Sequence, residues 1–315
     1  TDNNIKNPAH GMFQSVYDYP YLSSSANHIF DITVGVSTDS SLYNTSNSQY
    51  VKKKNIYNQM SQVLVGYDHT GSILHFDEDG NILAGGTKYE DVFVLPFSRL
   101  LVKDEIKKGT FSMKLGVSSS YANAFDQIIE ITDASGSDGY FVNSPVGEYG
   151  ILFAANSTGT PLSTDNSAVG LLYYQAGIAV ITKDVFSGSL GSKDVDMNGS
   201  TLYINDMLTG STIQTLSNAF RHRLQNVQFN NTTELNSTIY FCRANHQEFN
   251  YSTNPTYTDG SKIRVKTNST DEPVSYITTI GLYNDRNELM ATAKLSEPLK
   301  KTPSTEFTIR CRLDY

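Results

Sequence analysis

The sequence predicts a mainly β protein with two helices, an antiparallel β-sandwich or barrel-like pair of sheets with a minor α+β character. Three observations lead there. Apolar, β-branched runs of strand length recur at short, fairly even spacing. Linkers rich in Ser, Gly, Asn and Asp separate them, notably Ser135–Asp138 and Asn156–Ser167. Only two stretches carry the period of a helix.

Taken in order, Thr1–Ser25 is polar and interrupted by Pro8, Gly11 and Pro20, with Phe13, Tyr17, Tyr19 and Tyr21 scattered through it and no period. It reads as an extended arm (residues 1–25) whose four aromatics either make an interface with a neighbouring subunit or pin the segment to its own domain. The body, residues 26–270, opens with a strand over His28–Val36. Val51, Ile56, Met60 and Val63/Leu64 then recur at helical spacing, which predicts an amphipathic helix near 49–64. Thr70-Gly71 and Asp79-Gly80 read as hairpin turns. The apolar run Tyr89–Leu101 carries Pro96, which marks an edge strand or a kink. Strands follow over Thr110–Val117, Gln127–Thr132, Glu148–Ala155, Ala168–Tyr174 and Ile178–Thr182, the last two as a tight hairpin around Gln175-Ala176-Gly177. A second helix is expected near 211–226, with Ile213, Leu216, Ala219/Phe220 and Leu224 on one face. Strands resume over Asn236–Ala244 and Lys262–Lys266.

The last part, residues 271–315, is a hairpin and a closing strand. Tyr276–Tyr283 and Leu289–Leu295 flank the turn Asn284-Asp285-Arg286-Asn287, and Leu289, Ala291, Ala293 and Leu295 share one face. That alternation predicts one buried side, with Ile280 or Leu282 in the core. FTIRCRLDY then ends the chain, an arrangement expected to tie the main sheet shut. The stretch YITTIGLYND with ELMATAKLSEPLKK resembles tailed-bacteriophage virion proteins, where similar hairpins recur in tail, baseplate and fibre-attachment proteins. GLLYYQAGIAVIT, Gly170–Thr182, is similar to phage structural proteins in the same way. The resemblance implies a virion protein assembled in the host cytoplasm, with other virion proteins and copies of itself as partners. It carries no catalytic residue.

Composition narrows the function. Only 38% of the 315 residues are hydrophobic and 18% charged, so Ser, Thr, Asn, Gly and 20 tyrosines make up the surface, a composition suited to wet interfaces. A formal net charge of −8 and the lack of a basic stripe argue against nucleic acid. The basic clusters Lys52–Lys54, Lys107-Lys108, Arg221/Arg223 and Lys300-Lys301 are short and read as solvated faces. No run approaches the length of a membrane span and no leader is evident, so Thr1 reads as the residue left after an initiator methionine. Cys242 and Cys311 fall in strand-like runs and are expected as buried free thiols.

No motif for nucleophilic or phosphate chemistry is present, and no cofactor is expected. Asp77-Glu78-Asp79-Gly80-Asn81 has its glycine at the wrong place for a calcium loop and reads as a turn. Asp194, Asp196 and Asn198 alternate oxygen ligands before Gly199 but lack the closing glutamate, so they are only a weak metal candidate. His69 and His75 stand near Asp68 and Asp77 across a turn without zinc spacing. His222 lies between two arginines, which disfavour its protonation. The reading is a non-enzymatic component of a phage neck, tail or baseplate. The alternatives are a receptor-binding or fibre adhesin and a virion-associated glycan hydrolase, which requires a pair of acids in a cleft.

Overall fold

The computed structural model describes residues 3–44, 48–82, 85–133, 140–156, 168–187, 194–252, 258–259, 262–263, 270 and 273–314. The linker Ser135–Asp138, most of Asn156–Ser167 and the end of the strand expected over Lys262–Lys266 lie outside these residues. The chain divides into two compact units, Thr1–Thr233 and Glu234–Tyr315, so the boundary falls well before the expected one at residue 270.

The first unit begins with β1 (Ile5–Lys6), β2 (Gln14–Tyr17), β3 (His28–Val36) and helix α1 (Ser48–Leu64). A short ribbon, β4 (Phe76–Asp77) with β5 (Lys88–Tyr89), leads to β6 (Asp91–Pro96) and the one-turn helix α2 (Arg99–Val102). Then come β7 (Glu105–Ile106), β8 (Ser112–Gly116), β9 (Ile128–Thr132), β10 (Tyr140–Ser144), β11 (Gly147–Asn156), β12 (Ala168–Tyr173) and β13 (Ile178–Thr182). Helices α3 (Ile204–Gly210) and α4 (Ile213–Arg223) precede β14 (Leu224–Gln228) and β15 (Asn231–Thr232). One antiparallel sheet dominates, in the order β1-β2-β3-β6-β13-β12-β11-β9-β8-β14, with β10 alongside β11. The fold is mainly β and sandwich-like, as expected. The sheet does not close into a barrel, and four α-helices are described where two were expected.

Both faces of the central strands are buried. In β6, Phe93 and Leu95 enter one core while Val92 and Val94 enter the other. The first core also takes Ile32 and Val34 of β3, Met113 and Leu115 of β8, and Ile129 and Ile131 of β9. The two halves of the curled sheet therefore face each other across it. Helix α4 plugs this core with Phe220, whose ring lies 4.8 Å from Phe93 and 5.8 Å from Phe186. Helix α1 covers the second core. Gly35 permits its approach, since a Cβ there would lie 3.0 Å from Cα and Cβ of Tyr57. Pro96 ends a central strand instead of marking an edge, and its missing N–H falls where the pairing with Ile178 stops.

Three expectations are corrected. Residues 1–25 are not a separate arm: β1 and β2 extend the main sheet, with Ile5 paired to Val16 and Val16 to Phe30. Buried Gln14 donates from Nε2 to Asn7 Oδ1 (2.8 Å) and to Asn218 Oδ1 of α4 (2.7 Å), which pins the segment to its own unit. The buried face of α1 holds Ile56 and Leu64 as expected, but its other members are Tyr50, Lys53, Tyr57 and Ser61, while Val51 and Val63 are exposed. Three basic residues read as solvated are fully buried: Lys53, Arg223 and Lys301. Each is paired with carbonyl oxygens. Lys53 donates to Leu208 and Ser211 at the C-terminal end of α3 (2.6 and 2.9 Å), where cations are favoured, and burial pulls its ammonium down to about 8. Arg223 spans the carbonyls of Gly116, Ser118, Ser120 and Asp196.

The second unit consists of two-stranded ribbons. β16 (Ser237–Ala244) pairs with the final strand β21 (Phe307–Asp314); β17 (Thr258–Asp259) pairs with β18 (Lys262–Ile263); β19 (Ser275–Tyr283) pairs with β20 (Leu289–Lys301). The hairpin turn forms as expected: Asn284 Oδ1 accepts from the amides of Arg286 and Glu288, and Asn287 takes φ 63°. The hairpin does not close the main sheet, however, and Ile280 and Leu282 are only half-buried. Lys301 Nζ donates to His246 O, Asn250 Oδ1 and Thr302 O. Cys311 is buried and Cys242 half-buried, both as free thiols.

Candidate functional site

The main sheet has two end strands, and the chain brings them to opposite walls of one groove. Its volume is about 590 Å³. One wall is Asn4 and Ile5 of the β1 segment with Val16 of β2; the other is the run Leu224–Phe229. Every successive residue of that run lines the groove, whichever face of the sheet it belongs to. In a strand, neighbouring side chains point to opposite faces, so this space lies along the backbone edge of β14. Ile29, Phe30, Phe97 and Leu101 complete the apolar floor, and the rim carries the amides of Asn4, Gln225, Asn226, Gln228 and Asn231 together with the cation of Arg221. Ile5, Val16, Phe30 and Phe97 keep 7–9% exposure, the most of any residue in that core, so the core opens to solvent here.

A second feature is polar. His75 Nδ1 lies 3.0 Å from Glu90 Oε1, and His75 Nε2 lies 3.9 Å from Asp39 Oδ2. Next to Glu90 in sequence, Asp91 accepts from the Ser40 hydroxyl at 2.8 Å. Burial pushes the Asp91 carboxyl up to about 6. Glu90 is held below its ordinary value because hydrogen bonds from His75 and Ser37 outweigh its own burial. The Glu90 bond in turn raises His75. Two adjacent carboxyls held apart in this way are the raw material of acid–base chemistry. Yet Asp91 is 5% exposed with Oδ1 engaged by Ser40, and the depression above it measures about 200 Å³, below the ~300–1,000 Å³ of small-molecule sites. The arrangement is suited to pH-dependent stability.

No family model, curated protein or solved structure matches the chain.

The residues singled out from sequence are distributed as follows. Asp196 accepts the amides of Asn198, Gly199 and Thr201, and Asn198 Oδ1 accepts those of Ser200 and Leu202, so both side chains are spent holding their own loop. Asp194 is exposed beside them, and no metal-binding group of three or more His, Cys, Asp or Glu occurs among the described residues. His69 does not join His75, whose acidic partners are Asp39 and Glu90 in place of Asp68 and Asp77. Asp77 instead accepts from the Ile82 amide (2.7 Å) and Lys88 (2.8 Å), holding the turn around Asp79-Gly80. His222 stacks on Tyr121 with ring centroids 4.0 Å apart. Among the expected interface aromatics, Phe13 packs beside His10 and Tyr17 beside His28, both half-buried. Tyr19 and Tyr21 remain exposed, and Tyr21 lines a depression that shares Ile5 with the groove.

In the second unit the apolar residues are mostly outside. Ala244, Val274 and Cys311 are its only buried apolar residues among those described, while Leu235, Phe241, Phe249, Tyr283, Leu289 and Met290 are exposed. On one face of the β16–β21 ribbon, Ile239 stands opposite Arg312 and Phe241 opposite Arg310. Sequence patterning found the strands but not this surface, because alternation states which side chains share a face and not what covers them. No described helix is long and apolar enough to cross a membrane.

Proposed function

We propose that the chain is a non-enzymatic structural component of a tailed-phage particle, in the neck, tail or baseplate, that works by packing between copies of itself and other virion proteins. The observation that carries this reading is the second unit: paired ribbons whose large apolar side chains face solvent. An isolated two-stranded ribbon is marginal in water, and contiguous exposed apolar surface marks a contact with another molecule. Aromatics and arginines side by side, as at Phe241 and Arg310, are the residues that interfaces favour. The likeness of the Val274–Leu295 hairpin to phage tail and fibre-attachment proteins supports the virion setting.

The test is a pair of substitutions at exposed positions, Phe241→Glu and Met290→Glu. The expected result is an unchanged melting temperature for the isolated chain, together with loss of self-association in sedimentation and loss of incorporation into particles. Normal incorporation of both variants overturns the proposal.

A further inference from the structure

We propose that the groove between the two ends of the main sheet is a strand-accepting slot, filled by an extended segment of a partner protein, apolar at alternate positions and without basic residues, that pairs with the free edge of β14. This deepens the assembly reading by naming the form of one partner, and rests on it only for that partner being a protein.

Four observations converge. The groove follows the backbone edge of β14, since all six residues from Leu224 to Phe229 line it. Among the described residues β14 pairs within the sheet only with β8, so its outer edge offers amides and carbonyls to a further strand. That edge, LQNVQF, carries none of the lysines or prolines that commonly protect exposed edges from pairing. Finally, the core is incomplete at this place: Ile5, Val16, Phe30 and Phe97 are its most exposed members, and all four lie in the groove. A segment with apolar side chains at every second position would cover them while its alternate side chains met the amide rim. Five residues of extended chain, matching the length of β14, span about 17 Å.

The walls decide the kind of occupant. The groove is bounded on its far side by the chain's own β1 and β2. A sheet edge from a second copy, fixed in its own sheet, cannot enter such a slot, whereas a free extended segment can. Arg221 is the charged residue among those lining the groove, so the rim selects against a basic segment, and a proline at a pairing position would remove a required donor.

The test uses the full chain and a fluorescent, end-blocked heptapeptide alternating isoleucine and threonine, followed by anisotropy. The expected result is saturable one-to-one binding tighter than about 1 mM. The same peptide N-methylated at alternate amides keeps its side chains but loses its donors, and is expected to bind at least about tenfold more weakly. Leu101→Glu, at a 40% exposed groove position on α2, is expected to weaken binding similarly without moving the melting temperature. Absence of saturable binding overturns the proposal. So does equal binding of the methylated peptide, which would make the groove a simple apolar pocket. Self-association of the unliganded chain that Leu101→Glu abolishes would assign the groove to a second copy instead. Each of these results leaves the Phe241 and Met290 experiment intact, so the slot can fail while the assembly reading stands.

Discussion

Replacing Arg223 by methionine tests whether the first unit is held together by a buried cation bonded to carbonyls. The guanidinium donates to Ser118 O at 2.6 Å, to Ser120 O at 3.2 Å and to Gly116 O at 3.4 Å, and it also reaches Asp196 O. It thus ties the end of α4 to the segment after β8 and to the loop before α3. A hydrogen bond involving a charged group contributes about 1.5–3 kcal/mol net. Counting only the bonds to Ser118 and Asp196 gives about 3 kcal/mol at the lower bound. Methionine avoids the desolvation of a charge, which offsets part of the loss, but leaves buried carbonyls unsatisfied. The expected net loss is therefore about 3 kcal/mol, a large share of the ~5–15 kcal/mol that holds a domain. With a urea m-value of about 3 kcal/mol/M, the midpoint should fall by about 1 M. Arg223→Lys should recover only part of this, because one ammonium cannot span four carbonyls on two separate segments. A midpoint shift below about 0.3 M at unchanged m-value would refute the reasoning, since the carbonyls would then be satisfied without the cation.

Other measurements address the remaining features. Asp91 is raised by burial from 3.8 to about 6, so the unfolded chain sheds its proton first and folding stability falls as pH rises through that window. His75, also raised, contributes stability below its unfolded value that is lost as pH climbs through its folded one. Denaturant midpoints should therefore increase from pH 7 to pH 5, and Asp91→Asn should remove the Asp91 share of that slope, about 1.4 kcal/mol over the range and most of it below pH 6. Below that range Glu90, whose folded value is lowered, acts in the opposite sense. Deleting residues 1–25 removes Ile5, Val16 and the Gln14 anchor, so the chain should lose many degrees of melting temperature or precipitate. An unchanged melting curve would show that the segment adds nothing to its unit. Lys301→Met leaves the carbonyls of His246 and Thr302 without their donor and should destabilise the second unit by about 2–4 kcal/mol, read as faster proteolysis of that unit.

Much of the strand pattern was legible because short-range signals carried it. The hairpin at Gln175–Gly177 and helix α4 lie where alternation and helical spacing put them. What escaped depends on partners remote in sequence. Lys53 sits in the buried stripe of α1 at proper helical spacing, but its acceptors are residues 208 and 211. Arg223 and Lys301 were read as solvated for the same reason, since a charged side chain says nothing of the carbonyls that await it. β1 and β2 have two and four residues, too few to show a period, and Gln14 reveals its role only when Asn218 arrives from α4. Helices α2 and α3, with four and seven residues, fall below any periodic signal. The groove belongs to no local pattern at all, being made by the two ends of the sheet meeting.

The place of α4 in the first core also sets a timetable for biosynthesis. β6 is complete once Pro96 has left the ribosome, but the Phe220 plug that covers Phe93 is not available until Arg223 has followed. At ~5–20 residues per second that interval lasts roughly 6–25 s. Throughout it the nascent sheet presents Phe93, and later Phe186, to water. A holdase that recognises aromatic β segments has its natural window there, and a chain stalled before Ile213 should remain its client, because the helix that would release it has not been made.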